Sequence, residues 1–438
     1  MTRRLLPYLL FAAFALASFG AIRSYDFFWQ LATGRWIVDH SALPLTDPFA
    51  LASARTEWID GEWLYEVVLY ALHSLVGLQG LSIVKGLLVA TLFLCAYLFA
   101  RRNGDANSAL LATSVAFACS AQLLELRPSI VAALLAVLML GARTTWAKVL
   151  ITIVWVNVHP SALLAPIVGR NPWCALALLV NPHGWKAIVA PLQLTSFVTG
   201  GTFVNAEWLP SSPRLFPILY LAIIVAVALY ATQPKRDWIR IALLAMFAFL
   251  AIRHVRNQPL FFAVVPLLIP LPPLRPVIAS VVTVLAVLAV RLSTDYRLGV
   301  PPERFPVAAV EQLKRANVPG NIYNADQFGG YLIWTFYPQR RVLTDGRNEL
   351  YRDFIPRWQE AREDSRKWNA LLRQYDIRIA VEEYRPPLRV TDARTGRVIE
   401  MPAHLAYWPK NQWVMIAKDD AAMVFALRRV SSRARGGR

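Results

Sequence analysis

Cysteine and charge are both scarce in this 438-residue chain, which has three cysteines and only 17% Asp, Glu, Lys and Arg. Cys95, Cys119 and Cys174 each lie inside an apolar run with no C-x-x-C or similar spacing, which excludes a disulfide framework and a thiolate metal centre. They read as packing residues. The low charge stands against 56% hydrophobic residues and a mean hydropathy of +0.40, a balance that excludes a water-soluble globular surface. The short strings of common soluble enzymes are also missing. There is no G-x-x-x-x-G-K-[ST] or G-x-G-x-x-G to cradle a nucleotide phosphate, no H-E-x-x-H for a zinc protease, and no G-x-S-x-G for a serine hydrolase.

Acids are the scarcer charge, 28 Asp and Glu against 46 Lys and Arg, for a formal net charge of +18. Such an excess suits phosphate, but the polytopic character set out next points away from nucleic acid as a partner. Apolar runs of the length needed to cross roughly 30 Å of hydrocarbon recur from Leu5 to about Arg291. Positive pairs at Arg3 and Arg4, Arg101 and Arg102, Arg143 and Lys148, and Lys235 and Arg236 fit cytoplasmic loops. With the amino terminus inside, about eleven membrane segments follow, and residues 23–79 form a long outer loop. The stretch 171–200, broken by "NPHGW", predicts a pair of short or re-entrant segments. The expected domains are a membrane domain over 1–295, a soluble extracytoplasmic domain over 300–430 and a basic disordered tail at 431–438. The first segment has the length of a signal peptide, and is expected to stay as a span.

Residues 25–39 of the outer loop have helical spacing, with Phe27, Leu31, Gly34 and Val38 on one stripe and Asp26, Gln30 and Thr33 on another. That pattern predicts a helix lying in the membrane interface. Residues 63–76 predict a second amphipathic or partly inserted helix, with Trp58 and Trp63 at headgroup depth. In the soluble domain, "FPVAAVEQLKRANV" predicts a helix, "GNIYN" a strand, "ADQFGGYLIWTF" a loop into a helix, and "RRVLTDGR" a strand ending in a turn. Helices near 350–361 and 364–374 and strands at "IRIAVEEY", 411–418 and 423–429 complete an α/β layer.

Ionisable groups at membrane depth cost roughly 2.5–3.5 kcal/mol on insertion scales, so they are functional candidates. Asp26, among Tyr25, Phe27, Phe28 and Trp29, is placed to act as a general base, or more simply to cap the helix after it; Asp47, Asp60 and Glu62 are candidates for a second acid. Arg127, His159, Lys186, Arg253, His254 and Arg256 fall near span ends expected to face outward, and converging cations suit a phosphate at the water interface. Glu207 and Trp208, in the outer string "NAEWLPS", are candidates for contact with an acceptor.

An acid just after the first span, a long amphipathic outer loop, many spans and a terminal α/β domain resemble the GT-C superfamily of membrane glycosyltransferases. The strings "DFFWQLATGRWI", "LPLTDPF", "VNPHGW", "AEWLP", "RHVRNQPLF", "FGGYLIW" and "LTDGRNELY" are similar to those of a large bacterial group within it. Distant relatives include protein O-mannosyltransferases, aminoarabinose transferases and oligosaccharyltransferases. The resemblance implies a polytopic α-helical membrane protein of the bacterial inner membrane with its soluble domain outside. It implies an inverting enzyme moving a sugar from a polyprenyl-phosphate donor to a hydroxyl of an envelope glycan, lipid or protein, with membrane lipids and membrane proteins as further partners. Asp26 would be the base, Asp60 or Glu62 would stand in for the second acid that several relatives carry beside it, and the cations would hold the leaving phosphate. Tyr331 lies where oligosaccharyltransferases carry an acceptor-holding motif. No cofactor and no metal is expected with a monophosphate donor; a pyrophosphate donor would bring in a divalent ion. The alternatives are a non-catalytic scaffold that binds polyprenyl lipid and an O-antigen ligase-like transferase.

Overall fold

A computed structural model describes residues 2–199, 206–385, 387–391 and 394–428. The basic tail expected at 431–438 lies outside the described residues. The chain divides into two compact units, one of Met1–Ser24 with Ile59–Gly299 and one of Tyr25–Trp58 with Val300–Arg438. The first unit ends at Gly299, and the segment Tyr25–Trp58 belongs to the second unit.

In chain order the helices of the first part are α1 (Thr2–Ser18), α2 (Phe27–His40), α3 (Trp63–Ala100), α4 (Ala106–Ser120), α5 (Pro128–Gly141) and α6 (Thr145–Val156). Single turns α7 (Ala165–Gly169) and α8 (Trp173–Ala177) come next, then α9 (Lys186–Thr199), α10 (Pro217–Ala231), α11 (Trp238–Arg253), α12 (Gln258–Leu268) and α13 (Pro276–Ser293). All but α2 lie in the first unit. Their starts are written in the sequence. Asp105 accepts from the backbone N–H groups of Asn107 and Ser108, Thr144 accepts from Ala147, and proline begins α5, α10 and α13. The core packs α1 on α3 and α13 on α4, with Phe14 stacked on Phe117 at 4.4 Å between ring centres and Phe93 edge-on to both.

Among the described residues, three helices are long and apolar enough to cross a membrane by length and composition: Trp63–Ala100, Ala106–Leu123 and Pro276–Ser293. The other expected crossings, toward a total of about eleven, are shorter apolar helices such as Leu5–Ser18, Pro128–Gly141, Thr145–Val156, Pro160–Gly169 and Pro217–Ala231. Proline explains the shortening. The run expected over 147–166 breaks after Val156 and restarts at Pro160, and α12 stops at Leu268 ahead of "PLPPL". Within α3, Gly77 leaves the helical region with φ of 66°, so residues 63–76 and 78–100 are separate helical pieces, as the sequence indicated.

The second unit adds α14 (Val307–Ala316), α15 (Gly329–Phe336), α16 (Phe354–Glu363) and α17 (Ser365–Gln374). Its strands are β1 (Asn321–Asn324), β2 (Ile377–Glu383), β3 (Leu388–Thr391), β4 (Val398–Met401), β5 (Trp413–Lys418) and β6 (Ala422–Leu427). The main sheet runs β1-β2-β6-β5, with β1 parallel to β2 and the other pairs antiparallel; β3 and β4 form a separate hairpin. The strand expected at "RRVLTDGR" is reduced to isolated bridges of Val342 with Ala50 and Ile322. Side chains replace the ladder there. Asn324 accepts from the Leu343 N–H and donates to the Thr344 carbonyl, while Leu51 and Ala52 donate to the carbonyls of Val342 and Leu343.

Helix α2 is not the one-sided interfacial helix its spacing predicted. Gln30 and Thr33, on the expected polar stripe, are buried along with Phe27, Phe28, Trp29 and Leu31, and the helix packs against α15. Arg35 seals that contact by donating to the carbonyls of Trp334 and Tyr337 and lying 4.4 Å over the Trp334 ring. At the centre of the unit, Arg347 is fully buried between two fully buried carboxylates. It donates to Asp345 at 2.9 and 2.5 Å and to Asp47 at 3.0 Å. Burial works against its charge, but the two acids more than offset it and hold its pKa well above the ordinary value. Removing one partner of a buried pair strands the others without compensation. Arg347→Met is therefore expected to lower the stability of this unit by about 3–5 kcal/mol, measured by chemical denaturation followed through its tryptophans. An unchanged midpoint would mean that the triad holds nothing together.

Candidate functional site

The Asp26 carboxylate makes no side-chain bond to the start of α2, and its own backbone is helical, so helix capping does not explain it. Instead Oδ1 accepts from the Trp29 indole at 3.2 Å. A Cβ on Gly346 would stand 2.8 Å from the same oxygen, so the turn after Asp345 closes directly over the carboxylate. The two glycine-bearing strings meet here. A Cβ on Gly329, in "FGGY", would fall 2.3 Å from the Thr344 carbonyl oxygen, which seats the start of α15 against the "LTDGR" turn.

Further acids gather around Asp26. Asp345 is buried on Arg347, whereas Asp26 and Glu349 are partly open and Asp326 reaches solvent. Dense surrounding protein, then the Asp345 and Asp26 charges, push the Asp326 carboxyl above the usual range. Burial likewise raises Glu349. Tyr331 lies on α15 within an aromatic cluster, its ring 4.9 Å from Phe28 and 6.1 Å from Phe305. These contacts give it a packing role in the same unit as Asp26.

A second cluster lies in the first unit, where the outer strings interlock. Ser211 and Val255 exchange backbone bonds with Ile252 and Leu209, and Gln258 donates to the Ser211 hydroxyl, which itself donates to Ala251. The knitting brings His254 to Trp208, with Nδ1 2.7 Å from the Trp208 carbonyl oxygen, and lays Arg256 over the Trp208 ring at 4.7 Å. Arg127 grips Glu207 through both terminal nitrogens, at 2.6 and 3.2 Å. Burial raises the Glu207 carboxyl, but the Arg127 charge and bonds, with Arg256 behind them, leave it below the ordinary value. His159 heads the turn after α6, and its Nδ1 accepts from the Ser161 N–H, leaving Nε2 to carry the proton. Burial and the Arg256 and Arg127 charges hold its pKa well below normal, so the ring is neutral at pH 7.

Asp60 and Glu62 precede α3 in this unit. Asp60 accepts from the Glu62 N–H, and its carbonyl faces His183 Nε2 at 3.0 Å. Trp63 donates to Asn157, which donates on to Val180, tying "EWLYE" to the "NVHPSA" and "NPHGW" strings. Glu62, Glu66 and Arg127 all act electrostatically on Tyr65. Thus Arg127, His159, Glu207, Trp208, His254 and Arg256 come together, with Glu62 close by. Lys186 and Arg253 stand exposed at the start of α9 and the end of α11. The cluster is also less cationic than the sequence indicated: Glu207, expected to touch an acceptor, is the partner of Arg127. Sequence reasoning left Asp326, Asp345, Arg347, Glu349, Tyr65 and Glu66 without roles, although "LTDGRNELY" and "DQFGGY" marked out most of them.

Among the described residues no group of three or more His, Cys, Asp or Glu side chains is arranged to hold a metal ion. With this geometry in view, the fold is similar to that of an archaeal oligosaccharyltransferase. The Archaeoglobus fulgidus oligosaccharyltransferase in its apo crystal form is similar at a TM-score of 0.57 and 10% identity, over 87% of this chain and 70% of that one. AglB of the same organism, in complex with an inhibitory peptide and a dolichol-phosphate, gives 0.60 and 11% over 87% and 70%. The crystal structure of that oligosaccharyltransferase with Zn and sulfate gives 0.55 and 12% over 85% and 68%. No protein-family profile and no curated protein matches the sequence. At such identities the likeness is one of fold.

The acids around Asp26 predict a pH signature. A carboxyl whose folded pKa is raised releases its proton more easily when unfolded, so its ionisation costs stability as pH climbs from about 4 upward. Asp326→Asn removes that cost. Its melting temperature, measured relative to the parent, should rise progressively between about pH 5 and pH 8; a constant difference across that range would show that the Asp326 carboxyl is raised neither by its surroundings nor by the other acids.

Proposed function

We propose that the chain is an inverting glycosyltransferase that moves a sugar from a polyprenyl-phosphate carrier to a hydroxyl group of a bacterial envelope acceptor. The observation that carries this reading is the gathering of Arg127, Arg256, neutral His159 and His254 on Trp208, within a fold whose relative AglB was solved with a dolichol-phosphate. An arginine fork and an imidazole N–H suit the oxygens of a phosphate. The charge of that phosphate grows as the sugar departs, so donors held ready for it favour the transition state over the ground state. Glu207 holds the Arg127 guanidinium in place through two hydrogen bonds.

Asp26 takes the role of general base. It accepts the acceptor's hydroxyl proton, the freed oxygen attacks the anomeric carbon from the face opposite the phosphate, and the carbon–oxygen bond to the phosphate breaks with its electron pair. The turn that carries Asp345 and Arg347 closes over the Asp26 carboxylate at Gly346 and holds it in place. Asp60 and Glu62 are assigned as supports of the donor cluster. The zinc and sulfate of the oligosaccharyltransferase complex belong to that protein.

Purified protein supplied with radiolabelled polyprenyl-phosphate sugars and envelope extract tests this. Wild type should transfer label. Asp26→Asn should lose transfer by about 10²–10⁴-fold while still binding the donor lipid. Arg127→Gln should weaken donor binding itself. Full transfer by a folded Asp26→Asn protein would overturn the assignment of the base; donor binding without transfer by wild type, with every acceptor tried, would favour a lipid-binding scaffold.

A further inference from the structure

A groove of about 540 Å³ runs between α10 and α11 in the first unit, well inside the roughly 300–1,000 Å³ range of ligand sites. Its walls are aliphatic and aromatic, with Ile223 and Val227 on α10 and Ala245, Phe249 and Ile252 on α11. The Tyr230 hydroxyl, the one polar group along α10 that lines it, is turned to the carbonyl of Leu268. The remaining polar lining is at one end, where Arg236 stands beside the exposed ring of Trp238, 5.8 Å from guanidinium to ring centre. Lys235, Arg236 and Arg240 carry three positive charges there against one on Asp237, a balance of +2. Arg240 is paired with Asp237 at 3.3 Å, which leaves Lys235 and Arg236 as the charge excess at the exposed mouth.

An apolar slot with a cationic mouth and a tryptophan at its rim matches a lipid with an anionic head. Basic pockets between transmembrane helices bind such heads, and Lys/Arg loops mark the cytoplasmic face. We propose that the α10–α11 groove holds an acyl chain of an anionic membrane phospholipid whose phosphate sits on Arg236 and Lys235. The cationic mouth of the groove lies at the Arg236 end of α11, opposite the end that carries His254, and the proposal does not depend on the donor assignment.

Native mass spectrometry of the full chain tests it, with phosphatidylglycerol and phosphatidylcholine of identical acyl chains added in detergent and polyprenyl phosphate as a third arm. Phosphatidylglycerol should be retained over phosphatidylcholine. Arg236→Gln should lower its retention about fivefold, the worth of one charge near an anionic surface. Ala245→Trp, which fills the groove from an exposed position, should remove it while leaving donor transfer unchanged. Equal retention of the two phospholipids would overturn the proposal, as would retention insensitive to Ala245→Trp, which leaves only a surface contact. Polyprenyl phosphate retained in place of phosphatidylglycerol, and lost in Ala245→Trp, would assign the groove to the donor and overturn it as well.

Discussion

One arginine, sealed from water, organises the second unit. Two carboxylates and a guanidinium taken out of solvent cost several kcal/mol each unless their geometry repays it. Here Arg347 reaches Asp345 two residues away and Asp47 three hundred residues away. Asp47 spends its other bonds on the Phe49 and Ala50 N–H groups and the Ser53 hydroxyl, which fixes the loop that follows α2. Trp58 and Phe49 close over the guanidinium at 4.4 and 5.3 Å. The early segment is thereby committed to a unit otherwise built from residues after Val300, and α2 becomes a core helix of it. Asp26 is positioned by the same turn that carries Asp345 and Arg347, through Gly346.

The first unit solves a different problem. Its helices expose apolar surface, and its polar groups are concentrated where strings of loop residues interlock at helix ends. Arg127 reaches Glu207, Arg256 lies on Trp208, and His254 and His159 are oriented by a carbonyl and a serine. Each side chain is held in position by a neighbour before any ligand arrives. Such preorganisation is what a leaving phosphate requires, because donors fixed in advance need no rearrangement as charge develops.

Most of the helices, four of the strands and the broken segment at "NPHGW" were legible from period and proline. The helix expected over 63–76 ends at Gly77, apart from the helical piece that follows it. What misled was burial. The spacing of 25–39 describes an amphipathic helix equally well whether its partner is lipid or protein, and the packing of α2 on α15, sealed by Arg35, decides between them. The 342–344 run lacked a ladder because Asn324 and the 51–52 segment supplied its bonds, a substitution between residues far apart in the chain. Within the site, residue types and end-of-helix positions picked out Arg127, His159, His254 and Arg256. The same signals also picked Lys186 and Arg253, which stay exposed, since sequence shows a cation's height along a helix but not its side. Glu207 was legible as polar and outward, while its pairing with Arg127 needed the fold.

The donor cluster is the centre of this account, and the most direct measurement is a cryo-electron microscopy structure of the protein with polyprenyl phosphate bound. The account predicts the phosphate within hydrogen-bond distance of Arg127, Arg256 and the Nε2 of His159, with the Arg127–Glu207 pair still in place. A phosphate bound away from all three, with the cluster unchanged, would contradict it.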